Sequence, residues 1–432
     1  MKNFETACGQ QGKQKEYKNM SGYYVIVGSS AAGIQIATKL CASGEVGENS
    51  KIIIITAQHE LPYNTCFLVE YLTGEKTEKQ LYLKSPDFFE KNSIIFIRNT
   101  RVIELLPEHK QLVCDTGLRV TYTKLFIATG AAPMCPPWLG DSLVEQKLEQ
   151  KKDRGIFLFH TLCDVLKISD WINKQKNKRV IIIGAGVTGL ECADALWKKG
   201  YQVLVIEQSD RILNRVLDPE GAEFFTEIIR NKSVELYLQA SVSEILKEGE
   251  SGVLGVKLAD GRIISGATVI CAVGVKPVSG FACHAGLDHS NGALRVNNFM
   301  QVVGFSDIYA AGDVCEITDR VTGLPVRSCM WPDAIAQANH AVLHVLGKSV
   351  RYEGAFIITN THLFGYEIHA TGLTHVSSWG SGEYKLVGER SADSYKKVVL
   401  DITNVVRGFV LIGAHVPVVA YKRSLVLGTP LG

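Results

Sequence analysis

Cys66 is the residue whose type and setting raise the most direct question of chemistry. It stands in the stretch HELPYNTCFLVEYL, between Thr65 and Phe67, with no second cysteine nearby. A cysteine without a partner is most often a small, buried core residue. The alternative is a reacting sulfur, which must act as a thiolate and needs a pKa lowered by positive potential around it. The residue alone leaves both alternatives open.

The stretch GAGVTG has the spacing of a dinucleotide-binding turn. Gly184 permits a tight turn, Gly186 lets the backbone approach a pyrophosphate, and Gly189 lets the following helix pack close to the strand. The helix start offers free N–H groups and a positive dipole end to the phosphates. Glu207 ends the next apolar run, 23 residues after Gly184, where a carboxylate binds ribose hydroxyls and repels a 2′-phosphate. This turn is predicted to bind NADH in preference to NADPH.

The stretch GSSAAG is a degenerate copy of that turn. Ser30 replaces the middle glycine, and its hydroxyl either donates to a phosphate oxygen or crowds it. The strand-end acid is replaced by Gln58, 30 residues after Gly28, and an amide binds a ribose hydroxyl more weakly than a carboxylate does. The residues of this turn expected at a nucleotide are Gly28, Ser30, Ala32 and Gly33.

Both turns lie in the same order of predicted elements. A β-branched run precedes each turn, apolar residues at helical spacing follow it, and a second β-branched run comes next, KIIIIT or YQVLVIE. Runs that are apolar without alternation are typical of parallel strands buried on both faces. The sequence therefore predicts two Rossmann-like α/β units and two nucleotide sites.

Three other buried runs end in glycine. KLFIATGAAP carries Thr129 and Gly130, TVICAVGVKP carries Gly274, and DIYAAGDV carries Gly312 and Asp313. The C-terminal segment instead alternates apolar and polar residues, as in YKKVVLDI and RGFVLIGA. Such alternation predicts a small α+β unit of antiparallel strands with a helix or two.

The composition argues against several classes of protein. The net charge is +2, with 46 basic and 44 acidic side chains, so no basic field is present for nucleic acid or a membrane surface. Residues 1–22 are polar, which predicts a disordered tail rather than a signal peptide, and charge, glycine or proline interrupts the apolar stretches. The eleven cysteines form no C-x-x-C and no zinc spacing, which is typical of reduced cytoplasmic thiols without a metal.

The ordered set GSSAAG, KLFIATGAAP, GAGVTGLE, AVGVKP and DIYAAGDV resembles the FAD-dependent pyridine nucleotide–disulfide oxidoreductase superfamily. The resemblance runs from about Tyr23 through nearly the whole chain. It implies that the first unit holds FAD and the second holds NAD(P)H. It also implies that Gly312 and Asp313 bind the ribityl and pyrophosphate region of FAD. Glu191 is then expected near the nicotinamide, and N–H groups near Ala334, in SCMWPDAIAQANHA, are expected to face the flavin.

The expected fold class is α/β, with two Rossmann-like dinucleotide-binding domains and a small α+β C-terminal domain. The predicted division has a tail at 1–22, a discontinuous FAD-binding domain at 23–150 and 277–353, an NAD(H)-binding domain at 151–276 and the C-terminal domain at 354–432. A terminal α+β domain of this kind is often a dimer interface, so a homodimer is a possible assembly.

Two branches of the superfamily are similar to the stretch around Cys66. The chain has no C-x-x-x-x-C after the first unit and no C-x-x-C in the second, which excludes the two-cysteine reductase patterns. NADH oxidases, NADH peroxidases and coenzyme A-disulfide reductases carry a single cysteine in this place, 33 residues after Gly33. LPYNTCFLVEYLTG also resembles rubredoxin, ferredoxin and nitrite reductase flavoproteins, which commonly lack the cysteine, and the C-terminal segment resembles that branch more.

We expect an FAD-dependent NADH oxidoreductase that passes electrons from NADH through FAD to a small acceptor. The acceptor is expected to be a disulfide, a peroxide or dioxygen, reached through a sulfenic acid or mixed disulfide on Cys66. One alternative is NADH-dependent reduction of a small electron-transfer protein such as rubredoxin, with Cys66 as a bystander. Another is an NADH-responsive flavoprotein sensor, similar to the apoptosis-inducing-factor branch.

Overall fold

The computed structural model describes six stretches of the chain: residues 23–44, 51–139, 155–248, 252–374, 383–413 and 418–431. The predicted tail at 1–22 and the predicted domain boundary near residue 150 lie outside these stretches. No helix of the described stretches is long and apolar enough to cross a membrane. Within the same stretches, no group of three or more His, Cys, Asp or Glu side chains could hold a metal ion.

The first part of the chain forms a buried parallel sheet around the first glycine turn. Four isoleucines in a row, from Ile52 to Ile55, are each at most 1% exposed, as expected for a strand covered on both faces. The elements are β1 (Tyr23–Val27), α1 (Ala31–Ser43), β2 (Lys51–Ile55), α2 (Leu68–Thr73), α3 (Glu78–Leu81), α4 (Pro86–Lys91), β3 (Ile95–Ile97), β4 (Val102–Leu106), β5 (Gln111–Cys114), β6 (Arg119–Thr121), β7 (Lys124–Ile127) and β8 (Ala131–Pro133).

The second part repeats this arrangement around the second glycine turn. Its parallel sheet has the strand order β12–β11–β10–β16–β9, and a small antiparallel sheet, β13–β14–β15, packs beside it. The elements are β9 (Ile156–Leu158), α5 (Leu162–Lys174), β10 (Arg179–Ile183), α6 (Val187–Lys198), β11 (Gln202–Ile206), α7 (Pro219–Asn231), β12 (Glu235–Tyr237), β13 (Val242–Glu248), β14 (Gly252–Leu258), β15 (Ile263–Ser265), β16 (Thr268–Cys271) and β17 (Val275–Pro277).

The chain then returns to the first sheet. One returning strand, β20, pairs with β7, which gives that sheet the order β20–β7–β1–β2–β3. The returning helix α9 packs against α1. This part contains α8 (Gly280–Cys283), β18 (His289–Ser290), β19 (Ala293–Arg295), β20 (Ile308–Ala310), β21 (Cys315–Thr318), β22 (Pro325–Val326) and α9 (Trp331–Val345).

The C-terminal part forms the predicted antiparallel sheet. The strand order is β23–β24–β27–β26–β25, and the last helix packs on β27. Its elements are β23 (Ile358–Leu363), β24 (Tyr366–Gly372), β25 (Tyr384–Arg390), β26 (Tyr395–Asp401), β27 (Val406–Ile412) and α10 (Val418–Leu427). Two parallel α/β sheets and an antiparallel C-terminal sheet confirm the predicted fold class.

Candidate functional site

The second glycine turn leaves open space at the start of a helix. Gly184 adopts φ +107°, and a Cβ there would lie 2.4 Å from the Ala272 carbonyl oxygen, so the position requires glycine. A Cβ on Gly189 would lie 2.0 Å from the Gly184 carbonyl oxygen, which places α6 tightly against β10. Gly186 precedes α6 in extended backbone, and a Cβ built there meets no atom within 4 Å. The first N–H groups of α6 therefore lie beside room for a pyrophosphate.

Glu207 directly follows β11 and turns its carboxylate back toward this turn. Its Oε2 accepts a hydrogen bond from the Ala185 N–H at 2.8 Å, and its Oε1 accepts one from the Ser209 N–H at 2.8 Å. Both donors are backbone groups, so the position of the carboxylate is fixed. The acid predicted to contact a ribose is thus held next to Gly184 and Gly186, as the spacing requires.

The first glycine turn has the same geometry with one difference. Gly28 adopts φ +110°, and a Cβ added there would lie 2.1 Å from the Ala128 carbonyl oxygen. A Cβ added at Gly33 would lie 2.0 Å from the Gly28 carbonyl oxygen. Ser30 precedes α1 in extended backbone, as Gly186 precedes α6, and its side chain makes no capping hydrogen bond. The hydroxyl of Ser30 therefore does not occupy the N–H groups that a phosphate would use.

The residue at the end of β2 is Thr56, and the prediction that Gln58 occupies this position is wrong. The Gly28 N–H donates to the Ile55 carbonyl just as the Gly184 N–H donates to that of Ile206, both at 2.8 Å. Thr56 is therefore level with Glu207. The buried Thr56 hydroxyl accepts a hydrogen bond from the Ser29 hydroxyl at 3.1 Å. Two residues further on, the Gln58 amide donates to the Tyr63 hydroxyl at 3.3 Å.

Small residues from three separate elements meet at Gly312. A Cβ on Gly312 would lie 3.6 Å from the Cβ of Ala32 on α1 and 3.8 Å from that of Ala334 on α9. The Gly312 N–H donates to the Gln337 side chain at 2.7 Å. These contacts bring the strand end after β20 between the N-terminal turns of two helices, each of which has N–H groups without intrahelical partners.

The N–H of Ala334 itself is hydrogen-bonded within α9, and it stays a prediction that N–H groups near it face the flavin. This N–H donates to the Met330 carbonyl at 3.1 Å, within the first turn of α9. The donors without intrahelical partners lie earlier in the helix, at Trp331 and Asp333, because Pro332 has no N–H. The helix N-terminus therefore offers fewer donors than a helix without proline.

Asp313 carries the charge at this strand end. Burial raises the pKa of the Asp313 carboxyl, and the nearby His160 and Arg327 side chains partly offset that rise. One Arg327 nitrogen, Nη1, is buried without a hydrogen-bond partner in the described structure. A carboxylate accepts hydrogen bonds from polyol hydroxyls, so this residue fits the ribityl chain of FAD.

Thr129, Gly130 and Gly274 lie where the chain crosses between the two parallel sheets. The crossing strands β8 and β17 pair antiparallel, with Val275 opposite Pro133. The Thr129 hydroxyl donates to the Val278 carbonyl at 2.6 Å, so it joins the two crossings. Gly130 and Gly274 have φ of +65° and +108°, and neither has an atom within 3.4 Å of a Cβ position.

Cys66 lies in a one-turn 3₁₀ helix at 65–67, just before α2. The Asn64 side chain caps this turn by accepting from the Cys66 N–H at 2.9 Å, and the cysteine is exposed. Surrounding protein atoms nevertheless raise the pKa of the Cys66 thiol by desolvation, and the carboxylates of Glu191, Glu70 and Asp313 raise it further. Cys66 therefore lies within electrostatic reach of both nucleotide units. The predicted positive potential is wrong, because the neighbouring charges that act on the thiol are carboxylates.

Glu191 lies on α6 and is tied to the C-terminal sheet. Its Oε1 accepts a hydrogen bond from the Thr361 hydroxyl of β23 at 3.0 Å. Burial raises the pKa of Glu191, and the carboxylates of Glu70 and Asp194 raise it further, against the lowering effect of the Thr361 hydrogen bond. Glu191, the residue predicted near the nicotinamide, thus lies among polar side chains of α2, α6 and β23.

Three residues of this site escape the reading of sequence motifs: Thr56, Glu70 and Thr361. Glu70 had a usable signal, because it follows Cys66 by four residues in a helical segment and must share its face. Thr361 had none, because its contact with Glu191 joins positions 170 residues apart.

Comparison with known proteins identifies the same superfamily that the sequence motifs resemble. The family described as pyridine nucleotide-disulphide oxidoreductase matches residues 23–343. The chain is 29% identical to an NADH oxidase of Methanocaldococcus jannaschii, over 82% of this chain and 77% of that one. It is 32% identical to the ferredoxin reductase subunit of 5,5′-dehydrodivanillate O-demethylase from Sphingobium sp., over 76% of each chain.

The fold also matches solved structures. The crystal structure of a covalent putidaredoxin reductase–putidaredoxin complex aligns with a TM-score of 0.82 at 24% identity, over 95% of this chain and 94% of that one. Two glycine turns, each leading from a parallel strand into a helix and in the predicted order, agree with the family match over 23–343. The chain therefore belongs to the pyridine nucleotide-disulphide oxidoreductase family and is an FAD-dependent NAD(P)H oxidoreductase.

Proposed function

We propose that this enzyme passes electrons from NADH through FAD to a small acceptor that reacts at Cys66. The observation that carries the proposal is that Cys66 is exposed and that the carboxylates of both Glu191 and Asp313 influence its thiol. Glu191 belongs to the unit with the complete glycine turn, and Asp313 to the unit with the degenerate one. The influence of both units on one sulfur supports a role for Cys66 in receiving electrons from NADH through FAD.

The residues proposed to hold NADH are those around the second glycine turn. Gly186 and the start of α6 take the pyrophosphate, and the fixed Glu207 carboxylate takes the adenosine ribose. A 2′-phosphate would meet that carboxylate, so NADH is favoured over NADPH. The further members of the proposed NADH site are Gly184, Gly189, Glu191 and Gly274.

The residues proposed to hold FAD are those of the first glycine turn and the late strand end. Asp313 accepts hydrogen bonds from the ribityl chain, and the starts of α1 and α9 supply N–H groups and positive dipole ends. When bound, FAD takes a hydride and supplies two electrons at a time. The further members of the proposed FAD site are Gly28, Ser30, Ala32, Gly33, Thr56, Gln58, Thr129, Gly130, Gly312 and Ala334.

The proposed step at Cys66 is a thiol–disulfide or thiol–peroxide reaction. With a disulfide, the Cys66 thiolate attacks one sulfur, forms a mixed disulfide and releases the other sulfur as a thiolate. With hydrogen peroxide, it forms a sulfenic acid and releases hydroxide. Two electrons then cleave the new S–S or S–O bond, regenerate the Cys66 thiolate and release the second thiolate or, with a proton, water.

A second candidate function is supported by the charges around Cys66. Desolvation raises the pKa of the thiol and three carboxylates raise it further, which reduces the fraction present as a reactive thiolate. An enzyme that delivers single electrons to a small iron protein does not need that thiolate. The similarity to a ferredoxin reductase subunit supports this alternative.

Acceptor preference tests the proposal. Cys66→Ser is expected to lower NADH-dependent turnover of hydrogen peroxide and of a small disulfide by at least about a hundredfold relative to turnover of ferricyanide, a one-electron acceptor. Cys163→Ser, at an exposed cysteine on α5, is the matched control. Equal ratios in wild type and Cys66→Ser would reject the cysteine route and leave the electron-transfer alternative.

The proposal extends to the organisation of the protein. The domain limits at 23–150, 151–276, 277–353 and 354–432 stay predictions, as does a homodimer through the C-terminal domain. A cytoplasmic location is proposed because free cysteines are typical of a reducing compartment. All ten cysteines of the described residues are unpaired.

A further inference from the structure

The reduction of every proposed acceptor requires a proton that NADH does not supply. A hydride carries two electrons and one proton. Dioxygen becomes hydrogen peroxide, hydrogen peroxide becomes two waters, and a disulfide becomes two thiols, each with two electrons and two protons. One proton per turnover must therefore come from the protein or from water. A group that supplies it must lie beside Cys66 and must be able to hold a proton near neutral pH.

Glu70 and Glu191 lie in the required place. Cys66 and Glu70 are four residues apart in consecutive helical segments, the 3₁₀ turn at 65–67 and α2, so they lie about one turn apart. Helix α2 packs against α6, which carries Glu191. Both carboxylates act on the Cys66 thiol, and Glu70 also acts on Glu191. The three side chains therefore form one cluster.

The cluster contains carboxyl oxygens that are buried and unpaired. Oε2 of Glu70 and Oδ1 of Asp194 have no hydrogen-bond partner in the described structure, and Asp194 is only 5% exposed. A buried carboxylate oxygen without a donor is costly, and a proton on one of the neighbouring carboxyls lowers that cost. Lys198, one turn further along α6, pairs with the other oxygen of Asp194 at 2.8 Å. The next residue, Lys199, lies just beyond α6 and donates to the backbone carbonyl of Leu72, not to a carboxylate.

We propose that Glu191 holds a proton beside Cys66 and gives it to the sulfur or oxygen that leaves when the acceptor is reduced. The proton moves from the Glu191 carboxyl to the leaving atom, and the carboxylate then regains a proton from solvent. Thr361 orients the Glu191 carboxyl by donating to Oε1, which leaves Oε2 to carry the proton. Burial and the neighbouring carboxylates raise the pKa of Glu191, as a proton donor near neutral pH requires.

The inference rests on the proposed oxidoreductase function but not on Cys66 itself. Dioxygen and ferricyanide separate the proton from the electrons, because ferricyanide accepts electrons without protons. In the FAD-loaded enzyme, we expect Glu191→Gln to lower the ratio of dioxygen turnover to ferricyanide turnover by at least about tenfold, and Glu70→Gln to lower it in the same direction. Glu75→Gln makes the same chemical change at an exposed position just beyond α2 and is expected to keep the wild-type ratio.

A solvent isotope effect supplies the second readout. Dioxygen turnover of the wild type is expected to be slower in D₂O than in H₂O, and the size of this isotope effect is expected to differ in Glu191→Gln. The isotope effect on ferricyanide turnover is expected to be the same in both proteins. An unchanged ratio and an unchanged isotope effect in Glu191→Gln would overturn the inference, as would an equal loss in Glu75→Gln. Dioxygen turnover that survives Cys66→Ser but still falls with Glu191→Gln would reject the cysteine route and retain the proton donor.

Discussion

The sulfur of Cys66 lies in a setting with two opposed properties. It is exposed, which a reacting thiol requires, yet desolvation by surrounding protein atoms raises its pKa, and the carboxylates of Glu191, Glu70 and Asp313 raise it further. Negative neighbours favour the neutral thiol over the thiolate. A redox cysteine in this position must therefore react through a small thiolate fraction near neutral pH, and acceptors that carry negative charge are repelled.

The raised pKa predicts how Cys66 reacts with an alkylating reagent. Only the thiolate reacts with iodoacetamide, so the labelling rate in the apoprotein should reach half of its maximum at a pH above that of a free cysteine, about 8.5. Glu70→Gln removes one carboxylate, lowers the pKa and should speed labelling at a fixed pH near 8. Mass spectrometry of the Cys66 peptide measures both rates. A plateau below about pH 8 in the wild type would show that positive potential dominates instead.

At the scale of elements, two glycines of the second turn have different roles. One is required by the fold and the other by the ligand. Gly184 has positive φ and no room for a Cβ, because the carbonyl of Ala272 lies 2.4 Å away. Gly186 has ordinary extended backbone and open space. The first glycine is therefore required by the strand-to-helix connection, and the second by whatever approaches the start of α6.

Single alanines at these two positions should have different effects. Gly184→Ala is expected to lower the free energy of unfolding by about 1–3 kcal/mol or more, through backbone strain and the close contact. Gly186→Ala should leave the thermal unfolding temperature nearly unchanged and raise the Kd for NADH by at least about tenfold, because its methyl group takes the space of the pyrophosphate. Calorimetry and NADH titration measure the pair. Tight NADH binding by a folded Gly186→Ala protein would contradict the assignment of this turn.

The predictable parts of the site are those set by local spacing. The turns at Gly28 and Gly184 follow from sequence because strand, turn and helix are contiguous, and the C-terminal sheet follows from its alternation. Thr56 was missed because the end of β2 depends on pairing with β1, which no local pattern fixes. The charges around Cys66 were mispredicted for the same reason, since Glu191 and Asp313 arrive from remote parts of the chain.

For the whole molecule, a buried ion pair joins the second parallel sheet to the C-terminal sheet. Asp218, the residue just before α7, is fully buried and accepts hydrogen bonds from the Lys397 ammonium at 2.7 Å and the Tyr395 hydroxyl at 2.8 Å. Both donors lie on β26. Together with the contact between Glu191 and Thr361, this pair fixes the C-terminal sheet against the proposed NADH unit.

Removal of one partner should therefore destabilise the protein strongly. Lys397→Met leaves the Asp218 carboxylate buried with a hydroxyl donor alone, which is expected to cost about 3–5 kcal/mol. Lys396→Met is the matched control, because this neighbouring lysine pairs with the exposed Glu389 and its loss should change stability little. Urea unfolding followed by fluorescence measures both variants. Equal midpoints for the two would mean that the ion pair does not hold the sheets together.

An anaerobic NADH titration tests most directly whether electrons from NADH reduce an oxidised Cys66 sulfur. Wild type and Cys66→Ser are first treated with hydrogen peroxide, cleared of the excess and then titrated while the flavin absorbance is followed. We expect the wild type to take up about four electrons per subunit, two on the flavin and two on the oxidised sulfur. Cys66→Ser is expected to take up about two electrons per subunit. Uptake of two electrons by both proteins would contradict the proposed role of Cys66.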